Sequence, residues 1–526
     1  MGSQSAFYRR GKRVISLSLI PICLLFMECK SRRISRELFE VDAAKDINPK
    51  NEYLKVHLKN GDLYVLNSWR FDEYDSLLTG NGSYLDYNRK LIEDRTKAED
   101  RPPFRIRKSE ILLLETNDKG TNPGIAVLVV TSLLTGAFAL ACLINPKGCF
   151  GSCPTFYVDS DNEEKLVGEG FSSSISKSLE ATDVDLIQYP LKEKEPFRLT
   201  VKNEAWETHM LNSINILAYP KGLNNRIIQE TGGKFYEVGD FHPPTYAEYM
   251  SNSILDKVKI KDDEEWFSLA NEYNLNSKED IFLEFENNGQ PNGILIEKRQ
   301  SLMTTYLFYN LLAMLGKANS FYMAEMETKS PYLKKRVYKM YDLLGGIEVF
   351  IQNKDNRWVP VSTVREAGPI VTDTHLVKLP NVDTPTIKLR LRMTQGLWRI
   401  NTLNLVSLHQ EVVPLRYKPN VVRQHNQVNQ TALQKLHSEE YLVTFPGDEY
   451  VLEYPLYVDP EVEYFIESKG YYIEWIREEW LMEENLKAAN KVILFPSQYL
   501  KDMAPHFKKV EPIMEETFWS SRYTKQ

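Results

Sequence analysis

Residues 124–144 read GIAVLVVTSLLTGAFALACLI, and residues 145–157 continue NPKGCFGSCPTFY. The first part is 21 residues without a charge, and as a helix it is about 30 Å long, the thickness of a bilayer's hydrocarbon core. Ser132, Thr135, Gly136 and Ala139 recur at helical spacing along it, and such a stripe of small residues permits close helix packing. Three readings follow: a helix buried in the protein or docked on a partner, which is preferred, a membrane span, or consecutive buried strands. The cysteines Cys149 and Cys153 stand around Gly151, a spacing open to a disulfide, half of a metal site or a redox pair.

The N-terminus bears on both questions. Arg9, Arg10, Lys12 and Arg13 precede VISLSLIPICLLFMEC, which ends at Cys29. A basic start followed by a short apolar run is the pattern of an export signal and is too short to span a bilayer comfortably. The closing cysteine, followed by Lys30, Ser31 and Arg32, resembles a bacterial lipoprotein cleavage site, which implies acylation of Cys29. Glu28 and Phe26 depart from that pattern, and an ordinary signal peptide or an uncleaved anchor are the alternatives. Export implies an oxidising compartment, so a local disulfide between Cys149 and Cys153 is expected over a metal site. Topology then disfavours the span, which would return the cysteines to a reducing cytoplasm. The basic tether Lys30, Arg32, Arg33 and Arg36 favours an outer-membrane anchor facing the periplasm.

The rest of the 526-residue chain divides by hydrophobic period. LKVHL, Asn60-Gly61 and DLYVLNSWRF form a hairpin signal. The stretches CFGSCPTFY, GFSSSISKSLEATDVD and VKNEAWETH, with LRMTQGLWRINTL, YLVTFPGDEYVLEY and ESKGYYIEWIREEWL downstream, resemble an uncharacterised family of envelope lipoproteins of Bacteroidota-type organisms; the resemblance implies no activity. Five short strands after Ile347 read as a β-sandwich, and WVPVSTVREAGPI with KLRLRMTQGLWRINTL resembles galactose-binding-like sandwiches in pattern. The expected fold is α+β, multi-domain and β-rich. It runs through a signal peptide over 1–29, a tether over 30–50, a small SH3-like or Sm-like barrel over 51–118, an apolar helix over 119–148 and a β domain over 149–240. A helical region over 241–346, a β-sandwich over 347–460 and a helical C-terminal region over 461–526 complete it. In the helical region PPTYAEYMSNSIL and EEWFSLANEY read as helices, and residues 301–327 as a long buried one.

Function is less legible. The net charge of -7 disfavours general nucleic-acid binding, and no nucleophile elbow, zinc-protease motif, P-loop or dinucleotide fingerprint occurs. No cofactor and no metal ligand set is assigned. Glu204, Glu207 and His209 in NEAWETH form the one near pairing of a histidine with acids, open to a metal or acid–base role, with a solvated or hydrogen-bonded strand face as the blander account; Asp183 and Asp185 flank Val184, and an acidic loop is expected there. Trp358 and Trp398 are candidates to stack on a sugar ring, provided the ring lies exposed beside Arg or carboxylate groups. The leading expectation is a lipid-anchored, non-enzymatic scaffold or accessory subunit of a membrane assembly, with a protein partner for residues 124–144. A carbohydrate- or peptidoglycan-binding module is the alternative, and a hydrolase whose site is assembled only in three dimensions is the second.

Overall fold

The computed structural model describes residues 35–39, 47–48, 53–58, 62–72, 76–85, 91–96, 101–118, 153–262, 264–316, 339–365, 368–474 and 483–522. The expectations for Cys29, for the apolar stretch 124–144 and for Cys149 lie outside the described residues.

The α+β expectation is corrected to a predominantly β fold: among the described residues 50% are strand and 18% helical. From Thr155 onward the strands form four antiparallel sheets stacked as layers. The first sheet contains Thr155–Ser160, Glu163–Glu169, Pro196–Lys202 and Glu449–Tyr457; the second contains Ala181–Leu186, Glu207–Pro220 and Val462–Glu474. The third contains Phe235–His242, Asn292–Gln300, Asp373–Lys378 and Trp398–Val412; the fourth contains Lys278–Glu286, Ile347–Gln352, Trp358–Val364 and Thr386–Thr394.

Side-chain alternation explains the stacking, because successive residues of a strand point to opposite faces. In Val462–Glu474, Tyr464 and Ile466 enter the core between the first and second sheets, while Phe465 enters the core between the second and third. In Asn292–Gln300, Ile294 and Ile296 enter the core between the third and fourth sheets, and Leu295 points the other way. The second and third sheets are therefore buried on both faces.

Two sandwiches result, and one is inserted in the other. Strands from 155–220 and 415–474 build the first two sheets, and strands from 226–412 build the other two. The linear division at 240, 346 and 460 does not follow this pairing, since the 462–474 strand pairs along Glu207–Pro220 from Pro220↔Val462 to Glu207↔Glu474.

The helix Met303–Leu315 ties the sandwiches together. It is apolar nearly all round, as expected for a buried helix. Met303, Leu307 and Leu311 pack in the core between the third and fourth sheets, and Phe308, Leu312 and Ala313 in that between the first and second. The C-terminal helix Pro496–Ser520 packs Leu500, Phe507 and Phe518 into the same core as Leu307. Its Glu515 carboxylate lies 2.7 Å from Arg299 and 3.2 Å from Arg399.

Several expected helices are strands. Tyr246–Tyr249, within PPTYAEYMSNSIL, pairs with Lys278–Glu286, and Trp266–Phe267, within EEWFSLANEY, pairs with the 398–412 strand. The expected helical region from 461 opens with the 13-residue strand Val462–Glu474. The N-terminal module is a seven-stranded antiparallel sheet whose end strands, Ser35–Phe39 and Leu91–Asp94, do not pair with each other. The segment 104–118, broken by the short turn Lys108–Glu110, pairs with Leu77–Leu85 at its start and with Leu54–Leu58 at its end, so the meander between those two strands closes on itself. Gly80 and Gly82 lie inside the strand Leu77–Leu85 and not in a turn; a Cβ at Gly82 would stand 2.0 Å from the Val65 carbonyl oxygen. This close approach sits beside the register shift between Leu66 and Ser68. His57 makes an edge contact with Phe445 at 6.5 Å, joining the module to the second sheet's neighbourhood.

Candidate ligand face and buried polar junction

The two tryptophans fare differently. Trp398 is 1% exposed within the core between the third and fourth sheets, where its ring is closed to any ligand. Trp358 is half-buried on the outer face of the fourth sheet. Its ring lies 5.8 Å from Phe282, and the Arg390 guanidinium stands 5.5 Å from the Trp358 centroid and 4.2 Å from that of Phe350.

Register places these groups together. Phe282 pairs with Arg390, Arg390 with Phe350, and Gln352 with Trp358. The odd-numbered residues of the Ile387–Met393 segment are buried, so Lys388, Arg390 and Arg392 share the outer face. Tyr246 is 41% exposed at the Glu284 position of the neighbouring strand, and Lys388 reaches Glu284 at 2.7 Å. At one end of this sheet Asn287, Asn381, Asp383 and Thr384 line a polar cavity of about 450 Å³. Aromatic rings with cations over their faces, next to carboxylates, can pack against an apolar ring face and hydrogen-bond its hydroxyls.

The grouping in NEAWETH separates into two buried sets. Glu204 accepts hydrogen bonds from the Thr155 hydroxyl at 2.9 Å and the Tyr157 hydroxyl at 2.5 Å, and pairs with Arg522 at 3.0 Å. His209 Nε2 stands 2.9 Å from Glu207 Oε1, and both side chains are wholly buried. Burial pushes the imidazole down to about 3 against the pull of Glu474 and Asp448. The imidazole is neutral and its hydrogen bond is enclosed, without access for a substrate.

Asp183 and Asp185 lie on the strand Ala181–Leu186 and not in an acidic loop. Asp183 accepts the N–H groups of Phe171 and Val184, both at 2.9 Å. Asp185 is buried, and burial, then Asp183, Asp373 and Glu169, raise its carboxyl well above the usual range. Glu169 is raised in the same way, by burial first, although it accepts the Ile370 N–H at 3.1 Å. The Cys153 sulfur lies 3.9 Å from Glu169 Oε2, and there is no disulfide among the described residues. Across the junction, Lys298 Nζ, wholly buried, stands 2.9 Å from both Asp373 Oδ2 and His375 Nδ1. Burial alone raises the Asp373 carboxyl, and His375 and Lys298 override it, leaving it well below the usual range.

Sequence reasoning picked out Cys153, Asp183 and Asp185 but not their meeting with Glu169, Lys298, Asp373 and His375, which only the fold brings together. Among the described residues no group of three His, Cys, Asp or Glu is arranged to hold a metal ion. The junction buries Glu169 and Asp185 between the sandwiches, both raised toward the protonated form, while Asp373 keeps a partial exposure.

No family model matches the chain, and no curated protein matches it. Among solved structures it is similar to a GH31 α-xylosidase from Xanthomonas citri, at 9% identity over 80% of this chain and 38% of that one, with a TM-score of 0.15. It is also similar to infectious bursal disease virus Gt strain, at 8% identity over 69% and 88%, with a TM-score of 0.14. The chain thus spans well under half the length of the xylosidase, and scores this low carry no argument.

Proposed function

We propose that the protein is a lipid-anchored component of the cell envelope, attached through Cys29 to the outer membrane and facing the periplasm. It works by binding glycan on the outer face of the fourth sheet. The observation that carries this reading is the half-buried Trp358 held beside Phe282 under Arg390. A pyranose presents an apolar C–H face that packs on an indole, while its hydroxyls take hydrogen bonds from Arg390 and give them to Glu284 and to Asp280, which lies 3.9 Å from Arg390 on the same sheet. The export signal and the resemblance to envelope lipoproteins supply the compartment in which polysaccharide and peptidoglycan are at hand.

The test is retention by purified peptidoglycan and by envelope polysaccharide in affinity electrophoresis. Trp358→Ala is expected to weaken binding about 5- to 30-fold, in line with a removed aromatic contact of about 1–2 kcal/mol. Binding unchanged in Trp358→Ala, or no retention of the parent chain on any polysaccharide, overturns the proposal.

A second reading is an accessory subunit of a membrane assembly. The exposed apolar side chains Phe267, Leu269 and Tyr273 along one connection favour it. Co-purification from solubilised envelope of a partner lost on Leu269→Asp would support it, and a chain that purifies alone would count against it.

A further inference from the structure

One face of the N-terminal sheet carries a cation cluster that the glycan reading does not use. Register aligns Arg70 with Thr79 and Thr79 with Arg105, and Leu77 with Arg107. Arg105 and Arg107 alternate with buried Phe104 and Ile106, so both point outward. The Lys108 N–H donates to the Ser76 carbonyl at 2.9 Å, which holds the two connections together. Ser76, Leu77, Arg105, Arg107, Lys108 and Ser109 line a cavity of about 670 Å³.

The charges on this face are unbalanced. Among the described residues the carboxylates facing the cluster are Glu110, 3.9 Å from Arg107, and Asp72, aligned with Leu77 next to Arg107. Among the described residues Arg70, Arg105 and Lys108 have no carboxylate within ion-pair distance. Among the described residues four cations face two carboxylates here. Guanidinium forks, an ammonium and two serine hydroxyls around one cavity match the oxygen geometry of a phosphate group.

Tether length says where that phosphate comes from. Ser35, the start of the strand that pairs with Ile111–Asp118, stands six residues after Cys29. Six residues reach at most about 20 Å, so a lipid on Cys29 keeps this module at the membrane surface. We propose that the face of Arg70, Arg105, Arg107 and Lys108 binds the phosphate of anionic lipid headgroups and seats the N-terminal sheet on the bilayer. The proposal rests on Cys29 being the anchor.

The experiment separates the two claims. In cells, membrane retention of Cys29→Ser against the parent chain reports on the anchor alone. The full-length Cys29→Ser chain, free of acyl groups, is then sedimented with vesicles of phosphatidylcholine and with vesicles of phosphatidylcholine and phosphatidylglycerol. Stronger partition onto the anionic vesicles is expected. Combining Arg105→Ala, Arg107→Ala and Lys108→Ala should weaken it about 100-fold, roughly fivefold per removed charge. Arg105→Lys with Arg107→Lys should keep most of the partition, and circular dichroism shows whether each variant folds. Equal partition onto both vesicles, or an unchanged value in the folded triple variant, overturns the proposal. Complete displacement by inorganic phosphate at matched ionic strength overturns the headgroup assignment in favour of a free phosphate ligand.

Discussion

Glu169→Gln should change how stability depends on pH, with a sign set by burial. In the folded chain the Glu169 carboxyl lies well above its usual range because burial disfavours its charge; unfolded, it titrates near 4.3. Between those two values the folded state holds a proton that the unfolded state has lost. Stability therefore falls as pH rises through this window, by about 1.4 kcal/mol per pH unit for one group, and below the unfolded value the penalty vanishes. Glutamine has no proton to hold, so the variant lacks this slope. His209 opposes it: held neutral down to about 3, it makes stability rise with pH until the unfolded imidazole loses its proton near 6.5. Asp373, held low, contributes stability present above the unfolded carboxylate value and lost as pH falls through its folded value, which lies below the window. Both groups are common to parent and variant, so subtraction removes them. Urea unfolding followed by tryptophan fluorescence from pH 5 to 7 should show Glu169→Gln gaining on the parent at about 1.4 kcal/mol per unit while the folded carboxyl stays protonated. Asp185→Asn should behave alike. A difference that stays flat across this range, or slopes the other way, refutes the argument.

Two further outcomes follow from packing. Leu307→Ala and Leu312→Ala open cavities in different sandwich cores from one helix, so each should cost about 2–5 kcal/mol and shift the same unfolding transition; two transitions, each moved by only one variant, would contradict the coupling. At Gly396, φ is +78° and a Cβ would stand 2.4 Å from the Ala270 nitrogen. Gly396→Ala should therefore lower stability by about 1–3 kcal/mol, measured by the same titration.

The parts of the fold that could be read from sequence are those where one face is wet. LKVHL and DLYVLNSWRF around Asn60-Gly61 pair as strands, Leu54 opposite Leu66, and TIKLRLRM alternates as written. The reading failed where both faces are dry. In ESKGYYIE, Tyr471 and Tyr472 face different apolar clusters, so no alternation is visible and aromatic spacing passes for a helix. In PPTYAEYM the apolar spacing suits a helix, but the 278–286 strand offers Tyr246–Tyr249 a ladder, and tertiary pairing overrides local preference. Trp358 was readable as a candidate because its residue type is informative. Its partners Phe282, Phe350 and Arg390 were hidden because register, and not sequence distance, sets who meets on a sheet. Trp398 shows the converse: the same residue type in a similar strand, spent on the core.

The insertion of one sandwich within the other also fixes an order of events during synthesis. The strand Glu207–Pro220 meets its main partner across a gap of 252 residues, from Asn215 to Glu467. The inner sandwich has all its strands once residue 412 has emerged, whereas the outer one waits for residue 474. Until then Glu207–Pro220 lacks its main ladder partner, and the sheet over Leu211, Ile214 and Ile216 lacks the strand Glu449–Tyr457. Under the proposed export such a delay is useful, because a body that cannot close early remains threadable through a translocation channel. The last strand then acts as a latch, drawn shut only after every other strand has arrived.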